Sequence, residues 1–294
     1  MLSKINNLLR FCYGDGITDK FAKIEFQLFI LSVKSLIPYE DRVGCMFDAE
    51  RYIKEMDIFA YYKNGNDDAV DFYLKNGTYS DLKDELLEYK IIPLIIANTD
   101  YYVLLDEVMK IVLLFTSNHN SIIDAVIISS VIYEYLGKDS VDSDFIMTRT
   151  KERIIEFSLR EYLEKNKLIY ADKSYVIDFE KLRIKYLLND NSLSEHLMQY
   201  KSLQFIINKL YDEKSSQVGN EALLDSFSSY LMKIRKGTLN PEKLRIKERK
   251  YKDLKEFLKN EEFVHPLLGK CTVVRRNEKE IIIKNKLGLL RINL

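Results

Sequence analysis

Two short stretches of this 294-residue chain carry side chains able to do chemistry. Near the N-terminus, "LLRFCYGDGITDKF" sets Asp15 between Gly14 and Gly16. Two glycines around a carboxylate suit a tight turn that presents the acid to solvent, to a helix N-terminus or to a metal ion. Further on, "TSNHNSIIDAV" puts Asn118 and His119 at the junction of two apolar segments. Asn120 or Ser121 makes a good N-cap for the second segment, which leaves His119 beside a helix N-terminus where a phosphate can be held. The plainer role for His119 at such a turn is capping or surface packing. A third region is notable for its charge. From Lys243 to Leu294 the chain has 15 Lys and Arg against 7 Asp and Glu, although the whole chain carries 45 of each class. That surplus suits an acidic partner, or the acidic remainder of the chain itself.

The elements that must position these residues read as mostly helical. The chain is 47% apolar and 31% charged with 10 Gly and 4 Pro, which excludes a disordered chain. Three cysteines, Cys12, Cys45 and Cys271, lack metal-type spacing, and an odd count argues against a disulfide framework. The apolar runs "IIPLIIA" and "IVLLF" are too short to span a bilayer, and no signal-peptide pattern opens the chain, so the expectation is a cytoplasmic protein away from membranes.

"DYYVLLDEVMKIVLLF" places Tyr101, Leu104, Leu105, Val108, Ile111, Val112 and Phe115 on one stripe, and "SIIDAVIISSVIYEYLG" follows with a second stripe that stops at Gly137. The two predict an antiparallel helical pair near the centre of a bundle. Further helices are predicted over 151–166, 193–212 and 221–236. Between the first two, "LIYADKSYVIDF" has two β-prone runs and predicts a small hairpin. After Pro241 a charged helical linker over 242–260 leads into period-two, β-branched sequence. Val273-Val274, Ile281 to Ile283 and Leu289 to Ile292 predict three strands, with turns at Asn277-Glu278 and Leu287-Gly288. The expected fold class is therefore mainly α, a helical bundle over 1–241 with a small β-barrel-like module over 261–294.

Three stretches taken in order resemble the ADP-ribosylglycohydrolase family. "LLRFCYGDG" is similar to its first helix, "IIPL" followed by "TSNHN" to its "RIAPL" and "THNHP" segments, and "VGNEALLDSFSSYLMKIRKGTLNP" to its last core helix. The resemblance covers about residues 1–241. It implies an all-helical fold that removes ADP-ribose from modified targets with two magnesium ions held by carboxylates and threonines. On that comparison Gly14, Asp15, Asn118 and His119 would line a cleft for an ADP-ribose-like ligand. "GNDDAV" stands where the family has an acidic metal-binding stretch, so Asp67 and Asp68, with Asp15, are the catalytic and Mg²⁺ candidates of an active enzyme. In the last helix, Asn220, Ala222 and Leu223 stand where the family has its metal-binding carboxylates and threonine, and Ala and Leu cannot ligate. The resemblance therefore implies a catalytically degenerate relative that needs no cofactor.

"VHPLLGKCTVVRRNEKEIIIKNKLGLLRINL" is similar to small SH3-like or Tudor-like tails, through His265, Pro266 and Gly269. Arg275, Arg276, Lys279, Lys284 and Lys286 would give it a basic face for a protein partner or for phosphates. No aromatic residue alternates with them, which disfavours base stacking. The leading expectation is a scaffold or ligand-binding module with a basic tail. The alternatives are an active Mg-dependent ADP-ribosyl hydrolase with displaced ligands, and a helical nucleic-acid-associated regulator.

Overall fold

The computed structural model describes residues 1–17, 20–138, 142–166, 173–188, 198–210, 221–240 and 253–293. The described chain is mainly helical. In order it comprises α1 (Leu2–Ile17), α2 (Ile24–Lys34), β1 (Leu36–Pro38), β2 (Cys45–Phe47), α3 (Ala49–Tyr62), α4 (Asp68–Asn76), α5 (Leu87–Ala97), α6 (Tyr101–Phe115) and α7 (His119–Gly137). There follow α8 (Ser143–Glu156), α9 (Leu159–Lys165), α10 (Lys173–Leu188), α11 (Lys201–Leu210), α12 (Glu221–Arg235) and α13 (Leu254–Phe257). The chain finishes in β3 (Glu262–His265), β4 (Gly269–Arg276), β5 (Glu280–Asn285) and β6 (Gly288–Asn293).

The centre of the bundle is α5, whose eleven residues are all buried. It packs against α2, α6, α7, α12 and β2. The predicted α6–α7 pair is present and forms one wall of this core. Apolar surface on every side is what "EYKIIPLIIA" demands, since no polar stripe is left to face water. Pro93 lies inside α5 and has no N–H, which leaves the Tyr89 carbonyl without its helical donor. The Tyr13 hydroxyl of α1 donates to that carbonyl at 3.2 Å.

The β1–β2 hairpin, which the sequence pattern did not predict, packs on α5 and α6. Its approach to α5 requires glycine at 44. The backbone there has φ +100°, and a Cβ would lie 2.4 Å from Asn98 Oδ1. The same Asn98 oxygen accepts the Cys45 N–H at 3.0 Å.

Three expectations are corrected. Tyr175 to Phe179, assigned above to a hairpin, is helical within α10, and residues 167–172 lie outside the described residues. The helix expected over 151–166 is two helices broken at Phe157-Ser158. Ser158 caps α9, and the Arg183 guanidinium from α10 donates to the Ile155 and Phe157 carbonyls at 2.9 Å. Gly14-Asp15-Gly16 is not a turn but part of α1. Gly16 allows a close approach to α2, since a Cβ there would stand 3.2 Å from Phe26 Cβ.

The C-terminal strands form an antiparallel meander in the order β3-β4-β5-β6, one strand more than the sequence predicted. Among the described residues β3 and β6 do not pair. The sheet shares one hydrophobic cluster with the helical body. β6 packs on α3, Leu289 bridges Phe21, and the Arg291 guanidinium lies 4.4 Å above the Phe21 ring. Ile281, Ile282 and Ile283 are all buried although they alternate faces, so both faces of β5 are covered. His265 has a local job. Its Nδ1 accepts the Leu267 and Leu268 N–H groups at 3.1 and 3.3 Å, which shapes the turn into β4.

Two outcomes follow from this packing. Tyr13→Phe strands the Tyr89 carbonyl and is expected to lower unfolding stability by about 1–2 kcal/mol in urea titration. Burial, and secondarily the Lys34 cation, lowers the His265 pKa to about 4. An unfolded histidine titrates near 6.5, so as pH falls the unfolded chain takes up this proton first. The contribution of neutral His265 is therefore full above about pH 6.5 and is lost towards pH 4, at up to about 1.4 kcal/mol per unit. His265→Asn keeps an acceptor for the turn but cannot titrate, and its loss of stability between pH 7 and 5 is expected to be shallower.

Candidate functional site

A polar seam runs between the chain that leads into α5 and the start of α7. The loop 80–84 is sewn to the loop 116–121. Ser117 N donates to Ser80 O at 2.7 Å, Thr116 Oγ1 donates to Leu82 O at 2.5 Å, and Asn118 Nδ2 donates to Asp81 O at 2.9 Å. Ser121 Oγ then accepts the Asp84 N–H at 2.9 Å.

Four buried carboxyl groups follow from this arrangement. Asp84 and Lys90 are both fully buried and form an ion pair at 2.5 Å, with the Lys90 ammonium also 3.9 Å from the centre of the Phe115 ring. Burial raises the Asp84 pKa, and Lys90 opposes the shift. Glu88 reaches from α5 to cap α11. Its carboxylate accepts the Lys201 N–H at 3.0 Å, and the Ser202 N–H and hydroxyl at 2.9 and 2.7 Å. Burial raises the pKa of Glu88 as well, partly offset by those Ser202 donors. Asp124, buried on α7, accepts the Tyr200 hydroxyl. Burial, then the Asp124 charge, pushes that phenol far above its ordinary range. Asp67 is 7% exposed and adds its field to Asp84.

The predicted residues take these places. Asp67 is the N-cap of α4 and accepts the Val70 N–H at 2.9 Å, while Asp68 stands exposed in the first turn of the same helix. Asn118, rather than Asn120 or Ser121, is the N-cap of α7, with Oδ1 accepting Asn120 N–H at 3.0 Å and Ser121 N–H at 3.4 Å. His119 is half-buried, with its ring 4.2 Å from Tyr175 and 5.9 Å from Phe179, and burial lowers its pKa. Gly14 is buried in α1, and the exposed Asp15 beside it lies 3.2 Å from Lys201 Nζ. The structure brings Asn118 and His119 together. Asp15 is on α1, which packs on α2, α11 and α12, whereas Asp67 and Asp68 are at α4, which packs on α3 and α6.

The side chains at the motif positions do not fit the magnesium pair that the resemblance implies. Asp67 is committed to a helix cap, Ala222 and Leu223 have no donor atoms, and Asn220 lies outside the described residues. Among the described residues no group of three His, Cys, Asp or Glu is arranged to hold a metal ion, and no helix is long and apolar enough to cross a membrane.

The five basic residues of the C-terminal sheet are exposed but do not share one face. Arg275 stands opposite Ile282 and Lys284 opposite Thr272, which puts both on the face that carries Arg291. Arg276 stands opposite Ile281 on the other face, where it donates to the Leu258 carbonyl. Lys279 and Lys286 lie in the turns at the two ends of β5.

Sequence reading missed Asp84, Glu88, Lys90, Asp124 and Tyr200. Two of them left a signal, since Lys90 and Asp124 are single charges inside otherwise apolar runs, "YKIIPLIIA" and "SIIDAVII". Compared with protein-family models, with curated proteins and with solved structures, the chain matches none.

Removing one member of the Asp84–Lys90 pair leaves a lone buried charge. Lys90→Ala is therefore expected to cost roughly 3–5 kcal/mol in chemical denaturation. The double variant Asp84→Leu/Lys90→Met is expected to recover most of that loss, because no unpaired charge remains.

Proposed function

We propose that this chain is a catalytically degenerate ADP-ribosylglycohydrolase-like protein, acting as a helical scaffold or ligand-binding module. The observation that supports this most is how the motif-matching side chains are used. Asp67 and Asn118 are helix caps, Asp15 is ion-paired to Lys201, and His119 packs against Tyr175 and, edge-on, Phe179. Hydrolysis with two metal ions needs several convergent, uncommitted oxygen donors. The buried carboxylates nearby serve instead as internal counter-ions and caps. In this reading Asp15, Asn118 and His119 are the residues that would meet an ADP-ribose-like ligand, without help from Mg²⁺.

The C-terminal sheet is the second part of the proposal. We assign it an SH3-like or Tudor-like role in docking an acidic protein segment. Arg275 and Lys284 share a face there with Arg291, which is paired to Glu280, and exposed cations attract acidic chains in a salt-dependent way.

Titration calorimetry with ADP-ribose, with and without Mg²⁺, tests the first part. Binding that is indifferent to Mg²⁺ and weakened by Asp15→Ala is expected, with no release of ADP-ribose from an ADP-ribosylated protein. Mg²⁺-dependent turnover would overturn the inactive reading in favour of the hydrolase, and no heat at all would remove the ligand-binding role.

A further inference from the structure

A different surface, at the other end of α6 from Thr116, is built to take a small ligand. Two adjoining clefts of about 520 and 230 Å³ meet at Tyr101, Tyr102 and Arg153. The larger falls within the size range of small-molecule sites. Tyr102, on the wall shared by both clefts, is 62% exposed. Yet it is held still. Its hydroxyl donates to Glu156 Oε2 at 3.2 Å, and the same carboxylate oxygen pairs with Arg153 at 3.0 Å.

Arg153 is 8% exposed, and its guanidinium lies 4.1 Å from the Tyr101 ring centre and 5.2 Å from that of Tyr102. Tyr101 in turn packs edge-on against Tyr133, whose hydroxyl donates to the Thr99 carbonyl at 2.9 Å. The result is a fixed ladder of rings and one cation with an open aromatic face at its end. Such preorganised platforms lower the ordering cost of binding.

The two clefts differ in charge. The larger is lined by Arg42 and Arg153, against one carboxylate, Asp100, which is already bonded to the Tyr102 and Val103 N–H groups. Arg42 lies 3.9 Å over the Tyr39 ring and makes no ion pair with a described carboxylate. The smaller cleft is lined by Phe157 and Tyr162 and by three carboxylates, Asp106, Glu156 and Glu161, of which Asp106 is paired with Lys165. A cationic half suits a phosphate, and an aromatic half with acceptors suits a base that bears an exocyclic amine.

We propose that this double cleft binds an amino-substituted purine nucleotide, with the base stacked on Tyr102 and the phosphate towards Arg42 and Arg153. Its residues are separate from Asp15, Asn118 and His119; because ADP-ribose carries an adenosine 5′-phosphate that this cleft would also take, Asp15→Ala is the variant that tells the two assignments apart.

Titration calorimetry of the full chain with AMP, adenosine and inorganic phosphate tests it. AMP is expected to bind more tightly than adenosine, and phosphate alone weakly. Tyr102→Ala is expected to weaken AMP by roughly tenfold or more, as loss of one base stack does. Arg42→Ala is expected to weaken AMP while leaving adenosine unchanged, and Asp15→Ala to change neither. Circular dichroism on each variant checks that the helices persist. AMP binding that survives both Tyr102→Ala and Arg42→Ala, or is absent at millimolar AMP, would overturn the assignment. Capture of a peptide on the same residues without AMP binding would overturn it too, in favour of a protein-docking surface.

Discussion

The rest of the structure depends on a helix that meets no water. Because α5 is buried along its whole length, every polar group it carries must find a partner inside the protein. Lys90 is matched by Asp84, and Glu88 is used to cap α11. The carbonyl freed by Pro93 takes the Tyr13 hydroxyl. At the C-terminal end, Asn98 Nδ2 donates to Leu94 O at 3.0 Å, and Arg235 from α12 donates to Ile96 O at 3.0 Å. Each partner comes from a different part of the chain, so satisfying α5 fixes α1, the 80–86 loop, α11 and α12 around it.

The same demand explains why so many suggestive polar residues have structural work. Helix starts need acceptors for their first N–H groups, and a short acidic or amide side chain is the usual supply. Asp48, Asp67, Asp100, Asn118 and Asp142 all cap helices here. A carboxylate held this way keeps its charge near the positive end of the helix dipole. It is poorly placed to give up those bonds to a metal. A seam rich in acids can therefore be rigid and stable while offering little free ligand capacity.

Where the protein does leave side chains unspent, they lie away from the seam. Tyr102 presents its ring to solvent while its hydroxyl is fixed, and Arg42 rests on Tyr39 with its charge uncompensated by described carboxylates. On the C-terminal sheet, alternation splits the basic residues, so that a cluster in sequence becomes a smaller row of three on one face. Both features are surface chemistry on a scaffold stiffened from within.

The sequence by itself determined the helical class, the α6–α7 pair with its stop at Gly137, and the run of β-branched strands after residue 261. These rest on local periodicity, which is a property of neighbours in the chain. It could not decide α10, where Tyr175 and Phe179 read as strand residues. There the helical spacing of the two rings brings both against His119, on another element. Nor could it show that Gly14 to Gly16 continue a helix, because the close approach of Phe26 to Gly16 comes from another element. The site was legible only as a set of residue types. Whether an acid is a ligand, a cap or a counter-ion depends on which donor lies within about 3 Å of it, and that distance is set by packing between segments far apart in the chain.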